Sequence, residues 1–163
     1  MTWVSHVLVG TSAGKLAGLS YVLSAFGSVL PDLLEYIVPG RHRGVSHSIS
    51  VWGVLSVIGW LTGIDALKAI MIGVLIGHLL MDSLTITGVP LYDDRGRYIT
   101  LFGGRIRTGS AIEYVIAGLI AGLVFLVSNT NTATISIGPQ WKTLYDKGII
   151  DLKEYRENRF KIL

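Results

Sequence analysis

The chain has no cysteine, which excludes disulfides and thiolate-held metals and leaves imidazole and carboxylate as the side chains able to hold a metal ion. The compartment stays open, because cytosolic and membrane proteins both manage without cysteine. Charge is sparse as well: 15% of the 163 residues are Asp, Glu, Lys or Arg, against 50% hydrophobic. An average soluble domain carries about 25% charged residues, so this composition argues for a membrane protein. The net charge of +3 is too small to point to nucleic acid, and it suits contact with anionic lipid head groups. No nucleic-acid partner is expected. The start, Met1-Thr2-Trp3-Val4-Ser5-His6, lacks the basic residues of a secretory signal, and no small-residue cleavage site follows a short apolar core; the N-terminus is expected to be retained.

Long apolar runs are what the chain does contain. Residues 45–61, 66–91 and 111–128 approach or exceed the roughly 20 residues that cross a hydrocarbon core. Residues 4–30 form a fourth run, interrupted only by Lys15. The expected fold is all-α: a polytopic, multi-pass protein of the cell (inner or plasma) membrane with about four membrane-embedded helical segments. Residues 1–128 form the expected embedded domain. Polar NTNTATISIGPQ, residues 129–140, reads as a linker. In residues 141–163, Gly148 reads as a helix stop, and Asp151 with Glu154 as an N-cap and its capping box, giving a small helical hairpin outside the membrane.

The chain's four histidines lie in WVSHVLVG, HRGVSHS and IGHLLMDSLT. The short connection Gly63-Ile64-Asp65 forces the flanking helices to be antiparallel neighbours and sets a depth scale. His47 lies 17 residues before Ile64, and His78 and Asp82 lie 14 and 18 after it. At about 1.5 Å per residue, His78 and Asp82 bracket the level of His47. They are also an i, i+4 pair on one helix face. The loop 92–108 returns the chain at the same end, where Glu113 begins the next helix. In GSVLPDLLEYIVPG, Pro31 suits the first turn of a short helix ending before Pro39-Gly40, with Asp32 and Glu35 on one face. On a single straight helix, His6 and Asp32 would be about 39 Å apart; a turn between Gly14 and Ser20 would bring His6 back, and this hairpin is the expected arrangement.

His6, Asp32, His42, His47, His78 and Asp82 therefore offer six ligands, with Glu35 and Glu113 in reserve. A catalytic zinc takes about three protein ligands, so the set could serve two divalent ions about 3.5–4 Å apart. A lone histidine in an apolar helix is more often a helix–helix hydrogen-bonding group, and intramembrane acids also serve proton relays. Arg41 and Arg43 read equally as loop charges facing head groups or as anion-recognition groups. The convergence of nearly every histidine and acid of the apolar segments on one end favours a metal centre.

His6, the GSVLPD box, HRGVSHS and GHLLMDSLTITGVPL together resemble the YdjM-like family of membrane-bound metal-dependent hydrolases over roughly residues 1–128. The resemblance implies the same six metal ligands, and the family's Thr-Gly-Ser-x-x-Glu is matched by Thr108 to Glu113. Where the family shows a further acid or Asp-His after Pro-Asp, this chain has Leu33-Leu34-Glu35. The tail is similar to a SHOCT module, which implies a protein partner or self-association. The expected activity is hydrolysis of a phosphate ester or lipid-like substrate at the membrane interface by metal-activated water, the ion being zinc. Arg43, Glu35 and Glu113 are the candidate catalytic groups, Arg43 to hold an anionic group. The rival reading is a metal or proton transporter, or a metal-stabilised scaffold.

Overall fold

The structure, a computed structural model, describes residues 1–37, 44–92, 96–130, 148 and 151–153. The chain divides into two compact units, Met1–Ser128 and Asn129–Leu163. In the second unit, Gly148 has φ +68°, the left-handed geometry of a helix stop, and residues 152–153, directly after the expected N-cap Asp151, are helical; the other residues of the expected hairpin, Glu154 among them, lie outside the described residues.

The first unit is mostly helical. Helix α1 (Trp3–Leu16) turns back through residues 17–20, where Gly18 has φ +66°, into α2 (Tyr21–Glu35). Residues 4–30 are thus a hairpin. Pro31 lies inside α2, not at the first turn of a separate short helix; because it follows an unbroken helical run, it removes one backbone donor near the C-terminal end without stopping the helix. A 3₁₀ turn, Val45–His47, leads into α3 (Ile49–Leu61), whose first turn Ser48 caps by accepting from Val51 N at 3.3 Å. Gly63, φ +73°, makes the tight turn into α4 (Asp65–Ser83), whose middle part, Gly73–Leu80, widens to the i→i+5 pattern. Such wide turns often occur at functional sites, and His78 lies in this one.

Helix α4 stops at Ser83, short of the expected run to Leu91. Instead, β1 (Val89–Pro90) pairs antiparallel with β2 (Tyr98–Ile99), a small ribbon not expected from an all-α reading. Gly88, φ +66°, takes the backbone out of the helical region, and Leu91 O is held by Ser48 Oγ and Ser50 N, both at 3.1 Å. Helix α5 (Ala111–Thr130) follows.

Small residues form the seam among α1, α2 and α4. A Cβ on Gly77 would come within 2.6 Å of Ser28 Cβ and 2.7 Å of Gly10 Cα, and one on Gly73 would overlap Ser24 O. Gly10-xxx-Gly14, Ser24-xxx-Ser28 and Gly73-xxx-Gly77 are thus three small-xxx-small pairs packed on one another, the means by which helices associate in lipid. Large apolar side chains face outward instead: Leu119, Leu123 and Leu126 on α5 are about two-thirds exposed. Asp65–Ser83 and Ala111–Ser128 are long and apolar enough to cross a membrane; α1, α2 and α3 are shorter than the roughly 20 residues a span requires.

Candidate metal centre

Three imidazoles are completely buried: His6 on α1, His47 in the 3₁₀ turn and His78 in the wide part of α4. The close seam brings backbone carbonyls of neighbouring helices against two of them. Nδ1 of His6 lies 2.8 Å from Gly77 O, and Nδ1 of His78 lies 2.7 Å from Ser28 O. A carbonyl can only accept, so each Nδ1 donates, which leaves Nε2 with its lone pair in the neutral ring. Both Nε2 atoms are buried and have no hydrogen-bond partner.

They face carboxylates. His6 Nε2 is 3.4 Å from Asp82 Oδ1; His78 Nε2 is 3.9 Å from Asp82 Oδ2 and 3.7 Å from Asp32 Oδ1. Lone pairs aimed at anionic oxygens repel unless a cation stands between them. Protonating both rings would answer this poorly, because His6 stacks on His78 with centroids 4.1 Å apart, where two imidazolium charges would oppose each other. A cation held among His6, His78 and Asp82 would relieve this repulsion. The donors of His6, His78 and Asp82 lie within 4.8 Å of one another, as do those of Asp32, His47 and His78, so either group could hold an ion. His78 belongs to both, yet with Nδ1 committed to Ser28 it has one nitrogen to give.

His47 is held differently. Its Nε2 is 3.2 Å from Asp32 Oδ1, and its Nδ1 is 3.1 Å from both Glu35 Oε1 and Ser46 Oγ. Glu35 therefore sits where an outer carboxylate orients a ligating histidine. The Met1 amino group also contacts Asp82 Oδ1. Burial gives the cluster a direction: His6, His47, His78 and Asp82 are at most 1% exposed, whereas Asp32 and Glu35 are 17% and 16%.

Glu113 stands apart from both ligand groups. Its Oε1 accepts from Thr2 N at 2.6 Å, Thr2 Oγ1 at 2.7 Å and Ser5 Oγ at 2.7 Å, and its Oε2 from Gly109 N at 2.7 Å. This carboxylate ties the start of α1 to the start of α5. It also anchors the first turn of the helix that carries His6, whose backbone N donates to Thr2 O at 3.1 Å. His42, Arg41 and Arg43 lie outside the described residues. Sequence reading did not find the carbonyls of Ser28 and Gly77; the small-xxx-small pairs were the available signal, because only such residues let backbone come so near. The chain matches no protein-family model, no curated protein and no solved structure.

Proposed function

We propose that the chain is a membrane-embedded metal-dependent hydrolase, akin to the YdjM-like family its motifs resemble, acting on a phosphate ester or lipid-like substrate at the membrane interface. One observation carries the reading: two buried, unbonded Nε2 atoms, each ring fixed through Nδ1, face carboxylates across a space that suits a cation. Zinc is the favoured ion, because imidazole with carboxylate suits it and no thiolate competes. His6, His78 and Asp82 would hold it. A second ion would take Asp32 and His47 with a further ligand, for which His42 is the sequence candidate.

When bound, such an ion activates water and polarises a phosphoryl oxygen. The chain's own residues supply orientation and access. Ser28 and Gly77 fix the ring tautomers, and Glu35 holds His47. Asp32 and Glu35 mark the open side, beside exposed Tyr36, Ile37 and Val45, an apolar rim that suits an amphiphile. Arg43, between His42 and His47 in sequence, is the candidate to hold an anionic group. In this reading the α1–α2 hairpin, α3, α4 and α5 are all embedded in the inner or plasma membrane, and the SHOCT-like tail offers contact to a protein partner or a second copy.

A transporter would need its ionisable groups reachable from two sides; here the partly exposed members of the cluster belong to the last turns of one helix, which favours the enzyme. The test is elemental analysis of detergent-purified protein, then a screen of phosphate esters and phospholipids. Zinc at one or more per chain is expected, with hydrolysis lost on chelation and restored by zinc. A metal-free protein with unaltered fold would refute the proposal, and metal uptake into proteoliposomes without hydrolysis would favour the rival.

A further inference from the structure

A second feature lies at the same end of the molecule and uses none of the metal-site side chains. The segment after β2 is tied to the end of α4 by Leu101 N to Ser83 O at 2.7 Å and Ile106 N to Leu84 O at 3.3 Å. Between this segment and the first turns of α5 is a cavity of about 450 Å³, walled by Leu84, Leu101, Ile106, Ile112 and Ile116. Arg105 also lines it, is exposed, and forms no ion pair among the described residues. Phe102, likewise a lining residue, is 86% exposed and has φ +52°. A bulky side chain rarely adopts that backbone geometry, and strain of this kind collects at ligand clamps. In water an open Phe102 beside an apolar cavity is unfavourable; against acyl chains both are satisfied.

We infer that this trough binds one acyl chain of an anionic phospholipid, whose phosphate Arg105 holds, with Phe102 inserted into the bilayer beside it. An apolar channel with a single guanidinium complements a molecule that is apolar along its length and anionic at its head, and the planar fork of arginine matches phosphate oxygens. The inference rests on the membrane reading above and is independent of the metal.

The experiment is photolabelling of the full-length protein in detergent with phosphatidate carrying a diazirine in its acyl chain, followed by mapping of the labelled residues. Metal content is measured on the same samples. Saturable labelling of Leu84, Ile106 and Ile116 is expected. Arg105→Ala should raise the half-saturating concentration about tenfold or more, the loss of one charge-assisted hydrogen bond, and Arg105→Lys should recover part of it. Ile116→Trp, which fills the trough, should abolish labelling of Leu84 and Ile106 while the lipid-facing side of α3 still labels.

A diacylglycerol carrying the same photoreactive chain should label these positions far less, and inorganic phosphate should not compete. Equal labelling by diacylglycerol, competition by inorganic phosphate alone, or indifference to Arg105→Ala would each overturn the inference. Saturable labelling of a protein that binds no metal would support it while removing the hydrolase reading; metal without trough labelling would do the reverse.

Discussion

Replacing His78 removes the one donor common to both ligand groups. His78→Ala should therefore lower bound metal to less than about a tenth of the parent's, because loss of a protein ligand from a set of about three leaves too few to retain an ion. The folded fraction is the proper sample for that measurement, since Ser28 O is left without its side-chain donor at a cost of about 1–3 kcal/mol. Glu35 makes a finer test. If its contact to His47 Nδ1 orients that ring, Glu35→Gln should weaken metal binding about 10–100-fold with little change in melting temperature, read by competition with a chromogenic chelator. Equal affinity in the two proteins would assign Glu35 no part in the centre.

Helix packing carries the centre, and glycines distinguish packed faces from open ones. On α4, a Cβ at Gly77 meets Ser28 and the Gly10 backbone; on α5, a Cβ at Gly118 or Gly122 would meet nothing within 4 Å beyond its chain neighbours and its own helix backbone. Gly77→Ala should force α4 away from α1 and α2, lowering the melting temperature in detergent and the metal content together, because Gly77 O also holds the His6 ring. Gly118→Ala should leave metal content unchanged and stabilise by up to about 1 kcal/mol, the helix preference of alanine over glycine. The same chemical change thus has opposite signs on two helices of one chain.

At the scale of the first unit, polar Ser24, Ser28, His78 and Asp82 share the interior with apolar residues such as Val74 and Met81, while leucines cover the outside of α5. The protein should stay with the membrane pellet after alkaline carbonate extraction and purify only in detergent or lipid; release into the supernatant would contradict the membrane reading. Truncation after Ser128, at the division between the two compact units, should leave metal content unchanged, since the clustered ligands all precede it. Loss of metal with the tail would mean that the second unit contributes to the centre.

Helical character, long apolar runs and the heights of the chemical groups are legible in the sequence alone. A three-residue turn at Gly63-Ile64-Asp65 and a fixed rise per residue are enough to level His78 and Asp82 with His47. The roughly 39 Å that a straight helix would put between His6 and Asp32 is enough to expect a turn between Gly14 and Ser20 that returns His6. Direction around a helix axis was decided only by the tertiary structure. Glu113 has the right height, yet it turns to Thr2 and Ser5, because those N-terminal groups come from a helix far away in sequence whose rotation no local pattern specifies. At the end of α4 the carbonyls of Ser83 and Leu84 accept from Leu101 N and Ile106 N, partners distant in sequence that the apolar run to Leu91 does not announce. Nothing in the histidine spacing names Ser28 O and Gly77 O as partners: periodicity fixes where a side chain stands along its own helix, and packing fixes what it meets there.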